Sequence, residues 1–301
     1  MCSGMRHRTE QRHRLQGHIM DKSKELDGRV VVLTGAGNGL GAAMARALAQ
    51  AGASLLLCDR DAAGLERVRQ ELEPTGAAVT LAVLDITDDT QVERVLADAL
   101  AQFGRLDVLI NNAGTGAQIV RQDFISRPLN SWDIPADKWR RIIDVNAIAP
   151  FVFARAVIPA MLRQGWGRII NVSTTWETML RPGFGSYGPS KAALESMTCG
   201  MARELEGSGV TVNTIIPGGP VDTAQVPSDI GVARETLLRP DVMNALVLWL
   251  LSSAADGLSA QRFTAAGWDP HDADNVSVRT EPAAWPQLVK PIVMKERGHL
   301  S

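Results

Sequence analysis

The sequence predicts a single doubly wound α/β domain, in which a parallel sheet of about seven strands is covered by helices on both faces. Short apolar runs alternate with amphipathic segments along most of the chain, as in parallel sheets whose strands are buried on both sides. Hydrophobic residues make up 45% of the 301 positions, which is ample for a buried core. Neither a Pro- or Gly-rich linker nor a fixed-period repeat divides the chain, so we expect one folded domain.

The predicted strands and helices follow one another in alternation. The candidate strands are Val30–Thr34, Ser54–Cys58, Ala78–Val83, Val108–Asn111, Arg168–Ser173, Thr211–Ile216 and Arg262–Thr264. The candidate helices are Leu40–Ala51, Ala63–Glu73, Thr90–Phe103, Ala136–Arg163, Tyr187–Glu206 and Asp241–Ser252. Gly52 and Gly104 directly follow two of these helices, where the left-handed conformation of a C-cap favours glycine.

We expect the folded domain to cover residues 25–269. Residues 1–24 interleave arginines with polar residues, and because no apolar stretch follows them, a secretory signal is not indicated. We expect a disordered basic extension there, with a mitochondrial-type presequence as the alternative. Residues 270–301 contain several prolines and little periodicity, which predicts an extended tail that packs on a neighbouring subunit.

Composition and residue placement exclude several classes of function. The net charge of −2 creates no field toward nucleic acid or a membrane, and no apolar run is long enough to span a bilayer. The histidines lie near the two ends of the chain, which argues against a His-based hydrolase or a His-ligated metal site within the fold. The three cysteines form no C-x-x-C pair, which fits a reducing, cytoplasmic compartment and argues against a disulfide framework.

A glycine-rich turn, T-G-A-G-N-G-L-G, runs from Thr34 to Gly41 directly after the first strand. Glycines let the chain turn sharply and approach a pyrophosphate closely, and the helix that follows directs its N–H groups and positive dipole end at the phosphates. The spacing fits T-G-x-x-x-G-x-G and differs from G-x-G-x-x-G, because position 40 is Leu. The turn predicts a dinucleotide site; a tight strand–helix connection is the alternative.

Asp59 ends the second strand, about twenty residues beyond the glycines, where a carboxylate accepts hydrogen bonds from both ribose hydroxyls. Such a carboxylate repels a 2′-phosphate, so the predicted cofactor is NAD. Arg60 keeps NADP open, because a guanidinium can hold that phosphate, whereas Asn38 in the glycine loop carries no charge. Asp85, followed by Ile86, ends the third strand and is placed for the adenine amino group or, alternatively, for a helix N-cap or turn.

Tyr187 is the only tyrosine of the chain, and Lys191 follows one helical turn later on the same face. A phenol has an ordinary pKa of about 10, and a nearby ammonium favours the phenolate. Tyr187 could then exchange a proton with an alcohol while hydride leaves the same carbon. An amphipathic helix with an incidental Tyr and Lys is the alternative.

Five motifs, in this order and spacing, resemble the short-chain dehydrogenases/reductases. They are T-G-A-G-N-G-L-G (34–41), N-N-A-G (111–114), N-V-S-T (171–174), Y-G-P-S-K (187–191) and P-G-G-P-V-D-T (217–223). The resemblance extends over almost the whole predicted domain. It implies a Rossmann-type sheet in the order 3-2-1-4-5-6-7, hydride transfer between NAD(P) and a secondary alcohol or ketone, and a homodimer or homotetramer.

The resemblance also implies a set of site residues. The catalytic residues would be Tyr187, Lys191, Thr174 and Asn146. The cofactor-binding residues would be Gly35, Asn38, Gly39, Leu40, Gly41, Asp59, Arg60, Asp85, Ile86, Asn112, Ala113, Gly114, Tyr187, Lys191, Pro217, Gly218, Val221 and Thr223. Pro150 supports a role for Asn146, since a proline has no N–H for the Asn146 carbonyl, which is left free to hold a water; a Pro-kinked helix with a structural Asn is the alternative.

The sequence departs from the family at Thr174, which stands where the carbonyl-polarising residue is usually serine. Threonine supplies the same hydroxyl on a stiffer side chain, and a strand would direct the neighbouring Ser173 to the opposite side. The P-G-G-P-V-D-T motif is one residue longer than usual, so either Val221 or Thr223 would contact the nicotinamide carboxamide.

Three apolar side chains between Thr174 and Tyr187, those of Trp176, Met179 and Phe184, are candidates for the wall of the substrate pocket. Packing beneath the loop is the alternative for all three. Two other functions stay open: an NADP-dependent carbonyl reductase and a non-catalytic dinucleotide sensor or scaffold. The presence of both Tyr187 and Lys191 favours an enzyme with a small-molecule substrate and no metal.

Overall fold

Eight strands form one sheet in the computed structural model, which describes residues 25–227, 230–269, 271–272 and 280–284. The strands are β1 (Val30–Thr34), β2 (Ser54–Asp59), β3 (Val79–Val83), β4 (Val108–Asn111), β5 (Gly167–Val172), β6 (Val210–Ile216), β7 (Gln261–Thr264) and β8 (Thr280–Pro282). Their order is 3-2-1-4-5-6-7-8. Every neighbouring pair is parallel except β7–β8, which is antiparallel. The predicted fold class and strand order are therefore confirmed.

β8 is the strand that the sequence analysis missed. It has three residues and ends in Pro282, so it is too short for an alternating pattern to reveal it. Within the region where we expected an extended tail, residues 280–282 pair with β7 of their own chain. The rest of the predicted tail and the predicted extension 1–24 lie outside the described residues, except for 271–272.

Helices cover both faces of the sheet. They are α1 (Gly39–Gln50), α2 (Ala62–Leu72), α3 (Asp89–Phe103), α4 (Ala136–Ile143), α5 (Ala149–Gln164), α6 (Trp176–Leu180), α7 (Tyr187–Glu204) and α8 (Asn244–Leu251). Val31 and Leu33 of β1 pack with α1, α2 and α8 on one face, whereas Val30 and Val32 pack with α3, α5 and α7 on the other. This alternation along a strand gives each face its own hydrophobic core.

The predicted continuous helix Ala136–Arg163 is interrupted. A wide π-type turn, Asp144–Ile148, separates α4 from α5, and the N–H of Ala149 donates to the carbonyl of Asp144. Pro150 follows this turn and has no N–H for an ordinary helical bond, which accounts for the wide turn. The predicted helix Asp241–Ser252 likewise divides into a 3₁₀ turn, Pro240–Met243, and α8.

The segment Ala136–Gln164 is also more apolar than the sequence analysis allowed. By length and composition alone it could cross a membrane, with a mean hydropathy of 1.7 in its most apolar window. However, 61% of that window is buried inside the protein, where Phe153, Val157 and Met161 join one of the two cores. A helix surrounded by the protein core must be apolar over most of its surface, as must a helix surrounded by lipid.

The carboxyl ends of the parallel strands bring the predicted motifs to one edge of the sheet. Thr34 ends β1, and Asn111 of β4 stands in register with Asn171 of β5. In open α/β sheets, ligands bind outside this edge, where the strand order reverses. The fold therefore gathers the glycine turn, the N-N-A-G segment and the N-V-S-T segment around one groove.

Candidate active site

The glycine turn places backbone where a side chain would not fit. Gly35 has a φ of +66°, and a Cβ added there would lie 2.8 Å from the Cα of Ala113. A Cβ on Gly41 would lie only 1.9 Å from the carbonyl oxygen of Gly35. Asn38 precedes α1 without giving its first turn a side-chain cap. This arrangement fits a dinucleotide pyrophosphate.

The N-N-A-G segment is hydrogen-bonded to the end of β1. Asn112 donates from Nδ2 to the carbonyl oxygens of Thr34 (3.0 Å) and Gly35 (3.1 Å). The N–H of Ala113 donates to the Thr34 hydroxyl at 3.0 Å. Through these bonds the side chain of Asn112 fixes the turn, and Gly114 is left beside the groove.

Asp59 is held at the end of β2 by two backbone N–H groups. Its Oδ2 accepts from Gly37 at 2.9 Å and its Oδ1 accepts from Asp61 at 3.0 Å. The carboxylate therefore stands next to the glycine turn, at the predicted ribose corner. Arg60 is exposed, whereas Arg67, which the sequence analysis did not select, donates to the side-chain oxygen of Asn38 at 2.7 Å.

Asp85 is engaged with its own chain. Its carboxylate pairs with Arg141 (2.8 Å) and accepts from the backbone N–H of Thr87 (3.0 Å). The N-cap of α3 is Asp88, whose side chain accepts from Gln91, so Asp85 does not cap this helix and lies in the turn before it. Ile86 is half-buried against the core beside it.

Thr174, Tyr187 and Lys191 come together at the carboxyl end of β5. Tyr187 is the first residue of α7, and the Thr174 hydroxyl lies close enough to its phenol to act on the pKa of that group. Lys191 is buried, donates from Nζ to the carbonyl oxygen of Val172 at 2.8 Å, and lies 5.9 Å from the centre of the Tyr187 ring. Ser173 points to the other side of the strand and donates to Glu195 at 2.7 Å.

Burial shifts the pKa values of the two titratable groups in opposite directions. It raises the pKa of Tyr187 above its ordinary value, while the hydrogen bond with Thr174 acts to lower it. It lowers the pKa of Lys191 to about 8, while the negative charge of Glu195 acts to raise it. Both groups therefore carry a proton at pH 7.

Asn146 lies fully buried in the π-type turn and connects three segments. Its Nδ2 donates to the carbonyl of Thr115 (2.7 Å) and to the hydroxyl of Ser190 (2.9 Å), and its Oδ1 accepts from the N–H of Thr115 (2.8 Å). Ser190 in turn donates to the carbonyl of Tyr187 at 2.7 Å. Ser190 lies inside the Y-G-P-S-K motif, which was the available signal for it.

The three predicted pocket residues have different surroundings. Phe184 lies 6.4 Å from Tyr187 and packs edge-on against Phe124, centre to centre at 5.3 Å. Met179 is buried, and its backbone lies against Gly188 at the start of α7. Trp176 stands over the guanidinium of Arg262 on β7.

The P-G-G-P-V-D-T segment, with Pro217 and Gly218 at its start, extends over the groove from β6. Val221 is buried and pairs with Leu238. Thr223 lies 3.0 Å from the position of a Cβ on Gly39, so Thr223 rather than Val221 faces the glycine turn. Gln225, which the sequence analysis missed, donates to the carbonyl of Gly114 at 2.6 Å across the groove.

The comparisons with known proteins agree on one family. A family profile described as short chain dehydrogenase matches residues 29–229. The chain is 31% identical over 245 residues to a 3-oxoacyl-[acyl-carrier-protein] reductase of Thermotoga maritima, covering 78% of this chain and 95% of that enzyme. Within residues 25–227, 230–269, 271–272 and 280–284, no three His, Cys, Asp or Glu side chains are grouped to hold a metal ion.

Two solved structures resemble the fold closely. One is a metagenomic short-chain oxidoreductase in complex with NADP, with a TM-score of 0.64 and 31% identity. The match covers 76% of this chain and 92% of that chain. The other is a 3-ketoacyl-(acyl-carrier-protein) reductase from Brucella melitensis complexed with NADH, with a TM-score of 0.67 and 28% identity. The match covers 77% of this chain and 94% of that chain.

We predict that Gly41→Ala weakens NAD binding by at least about tenfold and lowers stability by about 1–3 kcal/mol, because its Cβ would displace the Gly35 carbonyl. Gly200→Ala is the matched control. Gly200 also lies in a helix, α7, but an added Cβ would have nothing within 4 Å, and alanine favours a helix by about 1 kcal/mol. Thermal unfolding and fluorescence titration measure both effects. Wild-type NAD affinity in Gly41→Ala would show that the turn does not hold the cofactor.

Proposed function

The chain belongs to the short-chain dehydrogenase/reductase family, and from this we propose that it transfers hydride between NAD and a secondary alcohol or ketone. Tyr187 would transfer the proton, Thr174 would polarise the substrate oxygen, and Lys191 would bind the nicotinamide ribose and favour the phenolate. The single observation that carries this proposal is the convergence of these three side chains at the end of β5, on the same edge of the sheet as the glycine turn.

In the reductive direction, the proton of Tyr187 passes to the substrate oxygen as the C–H bond forms. The bound nicotinamide supplies the hydride that the carbonyl carbon receives. The Thr174 hydroxyl donates to the substrate oxygen on which negative charge develops. This hydrogen bond is stronger in the transition state than in the ground state, and it therefore lowers the barrier. The ammonium of Lys191 then stabilises the phenolate left on Tyr187.

The protonation state of the free protein favours reduction at neutral pH. Because burial raises the pKa of Tyr187, the phenol retains the proton that it would donate to a carbonyl. Oxidation of an alcohol requires the phenolate and is therefore expected to increase as the pH rises. Asn146 keeps the proposed role of holding a water at its backbone carbonyl, since Pro150 offers that oxygen no N–H.

We infer NAD as the preferred cofactor from the place of Asp59. Its carboxylate stands beside the glycine turn, where a 2′-phosphate would meet a negative charge. Arg67 and Arg60 are the cations that could oppose this preference, and relatives in complex with NADP and with NADH are both known. Asp85 remains a proposed contact of the adenine. Its carboxylate would then bind both the adenine amino group and Arg141.

The substrate is inferred to be partly apolar, because Phe184 and Phe124 form the aromatic surface next to Tyr187. A 3-oxoacyl thioester is a candidate of this kind, on the strength of the similar 3-oxoacyl-[acyl-carrier-protein] reductase. A dinucleotide sensor without turnover is the alternative of another class, and the grouping of Thr174, Tyr187 and Lys191 favours the enzyme. We further propose a homodimer or homotetramer in the cytoplasm, where the thiols of Cys58 and Cys199 would stay free.

We predict that NAD(H) binds at least about tenfold more tightly than NADP(H), equivalent to roughly 1.4 kcal/mol. In Asp59→Ala, NAD binding should weaken and the preference should narrow or reverse. Fluorescence titration of both proteins with both cofactors measures the preference. Equal affinities in the wild type would mean that Arg60 or Arg67 outweighs Asp59, and an unchanged preference in Asp59→Ala would remove Asp59 from the ribose site.

We predict that Tyr187→Phe lowers the rate of hydride transfer by about 10²–10⁴-fold and leaves cofactor affinity nearly unchanged. Thr174→Ala should cost about 10–10³-fold, whereas Thr174→Ser keeps a hydroxyl and should be mild. A screen of ketones and secondary alcohols with both cofactors provides the substrate, and single-turnover nicotinamide absorbance provides the rate. Near-normal turnover in Tyr187→Phe would refute the mechanism; near-normal turnover in Thr174→Ala alone would remove only Thr174.

A further inference from the structure

Arg262, on β7, is a buried cation that contacts four groups behind the proposed active site. Its Nε donates to Oε1 of Glu195 at 3.1 Å, and its Nη1 donates to Oε1 of Glu281 at 2.6 Å. Its Nη2 donates to the backbone carbonyl of Thr174. Its guanidinium also lies 4.3 Å from the ring centre of Trp176. One side chain thus connects the proposed catalytic threonine to the C-terminal strand.

The C-terminal strand β8 is fixed to the body of the protein at this point. Glu281 stands directly opposite Arg262 in the antiparallel pair. The N–H of Ala283 donates to the carbonyl of Ala260 at 3.0 Å, and the thiol of Cys199 donates to the carbonyl of Ala283 at 3.1 Å. Because the strand pairs with β7 along its length and Ala283 is bonded just beyond its end, the carboxylate of Glu281 has a defined position.

Glu195 extends the same network to the buried lysine. It lies one turn after Lys191 on α7, is fully buried, and also accepts from the hydroxyl of Ser173. Charges therefore alternate from the active site to β8, in the order Lys191, Glu195, Arg262 and Glu281. A buried charge is costly unless it is paired, so displacing one member disturbs its neighbours.

Glu281 also holds the aromatic side of this network. Its Oε1 accepts from the indole Nε1 of Trp176 at 3.0 Å, so one oxygen receives both Trp176 and Arg262. The side chain of Glu281 is 47% exposed. An ion pair with this much exposure to water gains little free energy from its charges alone. The fixed acceptor position is therefore what Glu281 contributes.

We propose that Glu281 is a positioning residue of the active site: it holds the guanidinium of Arg262, which fixes the backbone of Thr174 and thereby keeps the Thr174 hydroxyl against Tyr187. The inference rests on the proposed roles of Thr174 and Tyr187. It assigns to β8, which lies outside the motif-bearing segment, a direct part in the geometry of proton transfer.

Tyr187 reports on this geometry without any substrate, because it is the only tyrosine of the chain. Protein labelled with ¹³C at the tyrosine Cζ gives a single resonance whose pH titration follows the phenol. Glu281→Ala and Glu281→Gln both remove the charge, but only the alanine removes the acceptor. We expect a higher pKa of Tyr187 in Glu281→Ala than in Glu281→Gln, because the hydrogen bond from Thr174 favours the phenolate.

A second buried arginine supplies the matched control. Arg168, near the amino end of β5, is 4% exposed, pairs with the exposed Asp256, and lies over the ring of Trp166 at 4.2 Å. Asp256→Ala should leave the titration of Tyr187 unchanged, and thermal unfolding verifies that all variants are folded. Equal pKa values in the two Glu281 variants, or a like shift in Asp256→Ala, would overturn the inference. Turnover of Tyr187→Phe tests the proposed function separately.

Discussion

The buried ammonium of Lys191 is the constraint around which the candidate site is arranged. An amine removed from water loses much of its hydration, and burial accordingly lowers the pKa of Lys191 to about 8. Its proton is retained at pH 7 because the Val172 carbonyl accepts from Nζ and Glu195 lies one turn away. Since Val172 is the last residue of β5, the same hydrogen bond ties α7, and with it Tyr187, to the edge of the sheet.

Two sets of hydrogen bonds hold the segments around this lysine. On the cofactor side, Asn112 binds the end of β1, and Asn146 binds Thr115 and Ser190. On the far side, Arg262 binds the Thr174 carbonyl and Glu195. Buried polar groups that are hydrogen-bonded to one another favour one arrangement, and only Oε2 of Glu195 lacks a partner within the far-side set, so these bonds hold the shape of the groove.

The sequence predicted those strands and helices that follow from local patterns of apolar and turn residues. β1 and β4 have the predicted bounds, because short apolar runs next to turn residues mark buried strands. The π-type turn Asp144–Ile148 was missed, since apolar periodicity continues through it while only Pro150 marks the break. The contacts of Trp176 with Arg262 and Glu281 were missed for another reason: the partners lie about a hundred residues further along the chain, and no local rule connects them.

The most direct test of the account is the ionisation of Tyr187 in wild type and in Lys191→Met, followed through the single ¹³Cζ tyrosine resonance with NAD bound. Methionine is similar to lysine in length and leaves the core packed, but it removes the ammonium. The account predicts a higher pKa of Tyr187 in Lys191→Met, because the positive charge that favours the phenolate is gone. An unchanged pKa would contradict the claim that Lys191 prepares Tyr187 for proton transfer.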